Sequence, residues 1–161
     1  MSGNKIILPI SLILAFLLLQ SCDKNTVYKK YKEIPDKVWD RSYQPEFNFE
    51  NTDTTQPYNI NMHVRNASLY PHANLWLFIQ TTSPTGETTI DTLECVLAEA
   101  SGQWLGEGMG DIWDNEIPWK QNYKFDQNGK YTFRIEQAMR LEKLPGIMEV
   151  GISVEVPEQD K

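Results

Sequence analysis

The sequence predicts an all-β domain: an antiparallel β-sandwich, jelly-roll-like, carried behind a lipidated N-terminal tether. Three observations predict it. Apolar residues recur with a period of two along several short segments. Gly, Pro and Asn punctuate those segments. Helical periodicity is almost absent beyond the N-terminus. Alternation marks a half-buried strand, and short strands with turns between them pack as a sandwich of about eight strands.

The N-terminus comes first. Lys5 precedes an apolar run over residues 6–19 that is interrupted by Ser11 and Pro9. A membrane-spanning helix needs about 20 apolar residues, so this shorter run has the form of a secretory leader. It ends at Leu19-Gln20-Ser21-Cys22, which resembles a lipobox, although Gln20 departs from the commonest residue there. A lipobox implies acylation of the Cys22 thiol and cleavage before it. Acyl chains contribute about 0.8 kcal/mol per buried CH₂, so two or three of them anchor a protein firmly. The expected organisation is a leader over 1–21, a membrane tether over 22–36 and a β-sandwich domain over 37–161. Lys24, Lys29, Lys30 and Lys32 of the tether either sit near anionic head groups or form a solvated linker.

The next elements follow in order. "NFENTDTTQP" (48–57) is a polar loop. "YNINMHV" (58–64) alternates Tyr58, Ile60, Met62 and Val64 against Asn59, Asn61 and His63, which places His63 on a solvated face. "NLWLFIQTT" (74–82) is aromatic and β-branched, as a central strand is. "SPTGE" (83–87) turns the chain, and "TTIDTLECVLA" (88–98) returns it. Cys95 in that strand reads as a small buried hydrophobe. "YKFDQNGKYTFRIE" (123–136) flanks Asn128-Gly129 with alternating apolar residues, the pattern of a type I′ hairpin. "EQAMRLEKL" (136–144) has room for one or two helical turns. "IMEVGISVEV" (147–156) alternates again as a half-buried final strand, closed by Pro157.

Charge excludes one class of partner. Lys and Arg number 15 against 22 Asp and Glu, a net charge of −7. The leader contains Lys5 alone of these, so the mature chain carries one unit more, −8. Nucleic acid calls for a basic surface, and this one is acidic.

The least ordinary stretch is "GQWLGEGMGDIWDNEIPW" (102–119). A phosphate-cradling loop needs GxGxxG or GxxxxGK[ST], and neither spacing is present. Asp111, Asp114 and Glu116 supply hard oxygen atoms for calcium, without the EF-hand spacing. Paired carboxylates of a glycosidase need opposite walls of a cleft. The structural reading is a crossover in which the glycines allow close backbone packing, Trp104 and Trp113 fill the core, and the acids face water. Loops on rigid sheets collect function and Trp is enriched at binding hot spots. Glu107, Asp114 and Trp119 are therefore the expected partner contacts. Asp53-Thr54-Thr55 resembles the O-glycosylation acceptor of some envelope proteins, which makes Thr54 a candidate. No residue set points to catalysis, a metal centre or a cofactor.

"YPHANLWLFIQTTSPTGETTIDTLECVLAEASGQWLGEGMGDIWDNEI" (70–117), "GKYTFRIEQAMR" (129–140) and "LPGIMEVGISVE" (144–155) closely resemble the gliding-motility lipoprotein GldH family. The lipobox, the W-L-G-x-G-x-G-D-I loop and the E-Q-A-M-R segment also come in the family's order. The resemblance implies a non-catalytic envelope lipoprotein that acts in gliding with other Gld lipoproteins and components of the linked type IX secretion apparatus. It implies no enzymatic activity and no cofactor. "CDKNTVYKK" (22–30) is basic beyond Asp23 and lacks the acidic run that often directs surface export in this group. The expected location is the periplasmic face of the outer membrane. The rival reading is a carbohydrate-binding module or hydrolase, motivated by Trp113 and Trp119. A row of exposed aromatics on one sheet face is the feature that favours it.

Overall fold

The structure is a computed structural model that describes residues 25–158; the leader and Cys22 lie outside them. Eleven strands and one short 3₁₀ turn (Pro35–Lys37) follow one another. The strands are β1 (Thr26–Glu33), β2 (Val38–Asp40), β3 (Glu46–Asn51), β4 (Tyr58–Ala67), β5 (Asn74–Thr82), β6 (Thr88–Val96), β7 (Glu107–Met109), β8 (Ile112–Tyr123), β9 (Gly129–Gln137), β10 (Lys143–Pro145) and β11 (Ile147–Glu155). A five-stranded sheet has the order β1-β11-β4-β8-β7, a four-stranded sheet the order β3-β9-β5-β6, and β10 pairs with β2 in a small ribbon. All pairings are antiparallel.

Setting aside the ribbon and the short β7 leaves eight strands. In chain order, the first pairs with the eighth, the eighth with the third and the third with the sixth. In the other sheet the second pairs with the seventh, the seventh with the fourth and the fourth with the fifth. That is jelly-roll connectivity, as the sequence predicts.

The core follows from the alternation. Ile60, Met62 and Val64 of β4 and Val150, Ile152 and Val154 of β11 face the other sheet. Leu75, Leu77 and Ile79 of β5, Phe47 and Phe49 of β3, and Tyr131, Phe133 and Ile135 of β9 meet them in one continuous buried cluster. Fully burying each such aliphatic or aromatic side chain contributes about 1.5–3 kcal/mol. Cys95 is buried with them, and burial pushes its thiol pKa up to about 12, with Glu94 adding to the shift.

Five expectations need correction. Residues 48–51 are not loop: they are the second part of β3, paired with β9, and the polar loop begins only after Asn51. Residues 26–33 are not tether: they form edge strand β1, hydrogen-bonded to β11. The domain therefore starts at Thr26 instead of 37, because the partner that orders this segment lies at the far end of the chain. Residues 123–136 are not a hairpin: β8 belongs to one sheet and β9 to the other. Gly129 has positive φ but Asn128 does not, whereas a type I′ turn needs both. The intervening Phe125 instead dives into the core against Phe49, Tyr58, Tyr123 and Tyr131. Residues 136–144 hold no helical turn. Buried Gln137 takes the local backbone groups itself: its Nε2 donates to the carbonyls of Leu141 (2.8 Å) and Glu142 (3.2 Å), and its Oε1 accepts from Met139 N–H (2.9 Å). His63 is not solvated: it is 7 % exposed.

Candidate functional site

The outer face of the five-stranded sheet gathers the polar residues that alternate with the core. Register places them in rows across the strands. One row runs Glu33, Glu149, Arg65, Asp114, Glu107, and the next runs Tyr31, Gly151, His63, Glu116. The first row is acidic apart from its centre. Arg65 Nε donates to Asp114 Oδ1 (2.6 Å) and its Nη1 to Glu149 Oε2 (2.7 Å), so one guanidinium ties three strands together. The Asp114 hydrogen bond is the main cause that raises the Arg65 pKa. The face carries a groove of about 550 Å³ lined by Tyr31, His63, Arg65, Glu107, Asp114 and Glu116, among others.

His63 is the buried centre of the second row. Its Nε2 lies 2.9 Å from Ser153 Oγ, and its Nδ1 lies 3.9 Å from Glu116 Oε2. Ser, His and an acid in that order invite comparison with a nucleophilic triad, but the proton directions are wrong for one. Ser153 Oγ donates its single proton to Glu155 Oε1 at 2.7 Å. His63 Nε2–H must then donate to Ser153, whereas a triad histidine accepts from its serine. Nδ1, left as the acceptor, has no proton for Glu116. Ser153 is also fully buried. Burial, helped by Lys29, lowers the His63 pKa to about 4, so the ring is neutral at physiological pH.

The expected contact residues divide. Glu107 and Asp114 are direct cross-strand partners on β7 and β8, and both line the groove. Trp119 belongs to the opposite face of β8. It packs against the core, edge-on to Phe133 at 5.7 Å and 86°, with the Lys120 ammonium over its ring. Lys120 in turn pairs with Asp91 of β6 at 2.9 Å. Trp104 and Trp113 are half-buried and stack on each other at 6.4 Å, so they flank the core instead of filling it. Gly108 makes room for that stack, since a Cβ there would strike the Trp113 ring. The three acids considered for calcium do not converge: Asp114 is held by Arg65 and Glu116 accepts from Asn61 Nδ2 (2.9 Å). Among the described residues, no three His, Cys, Asp or Glu side chains are placed to hold a metal ion.

Thr54 is exposed in the loop between β3 and β4, next to an Asx turn in which Asp53 Oδ1 accepts from both the N–H and the hydroxyl of Thr55. Those two hydrogen bonds hold the Asp53 carboxyl below its ordinary range.

The family model for the GldH lipoproteins matches residues 26–154. The chain belongs to the GldH lipoprotein family. The GldH match begins at the first residue of β1 and ends within β11, so the family's unit is the jelly roll itself. The chain is 36% identical over 150 residues to the gliding motility lipoprotein GldH homolog of Christiangramia forsetii, covering 89% of this chain and 91% of that one. It is 36% identical over 151 residues to gliding motility lipoprotein GldH of Flavobacterium johnsoniae, covering 89% and 93%. No solved structure matches the chain. Membership of a lipoprotein family makes this GldH chain a membrane-anchored envelope protein.

Sequence reasoning missed two groups in this GldH fold. Arg65, Glu149 and Ser153 become neighbours of His63 and Asp114 only through strand register. Trp76 and Phe78 are the exposed aromatics of β5, at 38% and 42%. Their alternation with Leu75, Leu77 and Ile79 was the available signal, but β5 reads as uniformly apolar.

Proposed function

We propose that the chain is a non-catalytic docking component of the gliding machinery, linked through it to type IX secretion. Lipid at Cys22 holds it on the periplasmic face of the outer membrane, where it assembles with other Gld lipoproteins and secretion components. The observation that supports docking is the acidic row around Arg65. Glu33, Glu149, Asp114 and Glu107 stand in one line across the sheet against a single guanidinium. Such a surface speeds encounter with a basic partner and disfavours an acidic one. The His63 cluster supports the non-catalytic reading, because Ser153 gives its proton to Glu155 and not to His63.

The test is capture of partners by mild crosslinking of the native lipoprotein, comparing wild type with Glu107→Lys. Glu107 is exposed at a sheet edge, so the change leaves the melting temperature in place. The expected result is loss of captured machinery components at unchanged stability. Undiminished capture by the variant would remove the acidic row from the docking site.

A further inference from the structure

We propose that the groove on the five-stranded sheet holds the ammonium group of a lysine side chain from a protein partner, seated between His63 and Glu116. The inference rests on the docking reading above and names the group that this face takes hold of.

Two acceptors confront each other there with no donor between them. His63 Nε2–H donates to Ser153 Oγ (2.9 Å), so Nδ1 presents a lone pair. Nδ1 stands 3.9 Å from Glu116 Oε2, beyond hydrogen-bond distance. Glu116 Oε1 accepts from Asn61 Nδ2 (2.9 Å), which leaves Oε2 without a hydrogen bond among the described residues. The histidine is 7% exposed, yet Nδ1 is not among the polar atoms sealed off from solvent. His63 and Glu116 both line the groove, so a ligand in it reaches both atoms. A buried acceptor that lacks a donor is costly, and a lone pair facing a carboxylate is repulsive. One group removes both penalties together: a cationic nitrogen with a hydrogen for each acceptor.

The spacing and the surroundings suit a lysine. Acceptors 3.9 Å apart can each lie about 2.8 Å from a single nitrogen, and an ammonium directs three N–H groups from one atom. A guanidinium is a planar fork matched to the two oxygens of one carboxylate. Here the acceptors belong to different residues, and Asn61 already holds one Glu116 oxygen. Tyr31 completes the row beside His63, is exposed and lines the groove; aromatic rings attract a nearby cation. Exposed Val96 and Leu105 also line it, and apolar groups of that kind cover the carbon stem of a lysine. The chain does not neutralise these acids itself. Arg65 is engaged by Asp114 and Glu149. Glu107 has no ion pair among the described residues, and neither has Lys29, the other cation of the lining. Carboxylates therefore exceed cations around the site. Tyr31 stands ~17 Å along β1 from Thr26, at which the chain arrives from Cys22. That distance from the anchored end favours the amine of a protein over that of a lipid head group.

The test is zero-length crosslinking in native membranes. A water-soluble carbodiimide activates a carboxyl group, a touching amine displaces it to form an amide, and the reagent leaves as its urea with the carboxyl oxygen. Mass spectrometry should find Glu116 joined to a lysine of another protein. Tyr31→Leu should lower the yield of that product about threefold, and Tyr31→Phe should retain it. Should Tyr31→Leu melt early, Glu116→Gln decides: capture by a long-arm amine crosslinker should fall several-fold at unchanged melting temperature. Glu116 joined to Lys29 of its own chain, or to phosphatidylethanolamine, in place of a partner lysine would overturn the proposal. Capture that needs Glu116 but forms no amide there would identify a guanidinium and overturn the lysine. Capture that Glu116→Gln leaves undiminished, while Glu107→Lys abolishes it, would remove the lysine site and leave the docking face standing. Capture that neither change diminishes would remove both.

Discussion

Tyr31 lies edge-on against the His63 imidazole, ring centroids 5.4 Å apart, although β11 runs between their two strands. The residue between them in register is Gly151. A Cβ at that position would stand 2.5 Å from Tyr31 Cδ1 and 2.8 Å from the Lys30 carbonyl. The missing side chain lets an edge-strand tyrosine reach across and cover a histidine two strands away.

Gly151→Ala therefore forces Tyr31 aside and also meets backbone that cannot yield. Overpacking of this kind costs about 1–3 kcal/mol. Urea denaturation should show that loss, with an unchanged m value if the denatured state is unaffected. A stability within error of wild type would mean that Tyr31 does not cover the ring.

The His63 cover has a pH signature. The folded pKa of about 4 lies below the ordinary 6.5, so the unfolded chain binds more protons between those values. Stability is full above about pH 6.5 and declines as pH falls toward 4. His63→Gln keeps an N–H donor near Ser153 but cannot titrate. Its melting temperature should fall less steeply than wild type between pH 6.5 and 4; parallel profiles would contradict a neutral buried histidine.

Trp119→Ala should unfold the domain more easily and leave surface binding intact. Its ring packs against Phe133 inside the sandwich, and truncating a partly buried Trp loses about 2–4 kcal/mol. Thermal melts measure this directly. Partner capture lost at unchanged melting temperature would restore Trp119 to the docking surface.

Cys95 should resist alkylation in the native protein. Its pKa is pushed up to about 12 and it is buried, while the thiolate is the reactive form. Iodoacetamide labelling followed by mass spectrometry should show modification only in denaturant. Rapid native labelling would show that the β5–β6 end of the sandwich opens.

Cys22→Ser should release the chain from membranes while the jelly roll stays folded, since β1 begins at Thr26. Fractionation after a high-salt wash reads the first outcome and circular dichroism the second. A variant that stays in the membrane fraction would separate anchoring from Cys22.

Strands with strict alternation were legible in the sequence. The patterns around Ile60, Met62 and Val64 and around Tyr131, Phe133 and Ile135 reach the core as their period requires. The β5–β6 hairpin was legible because its turn and both strands are contiguous. Segments whose order comes from distant partners were not. β1 carries four charged residues, Lys29, Lys30, Lys32 and Glu33, and is a strand only because β11 is beside it. Asn128-Gly129 has the local chemistry of a hairpin, yet burying Phe125 takes the chain across to the other sheet. Glu107 and Asp114 were named from their loop as separate candidate contacts beside Trp119, and only cross-strand register makes the two acids neighbours. The Arg65 bridge that joins Asp114 to Glu149 spans 84 residues of sequence and left no local trace.

The pairing of the first strand with the last has a mechanical consequence. Thr26 stands opposite Glu155 at one end of the sheet, and Glu107 lies toward the other end, beside Asp114. Tension applied through the chain at Thr26 and resisted near Glu107 crosses the sheet diagonally, because β1 and β7 are its opposite edges. The component along the strands loads the backbone bonds between β1 and β11 together, in shear, while the component across them draws the edge strand away from β11.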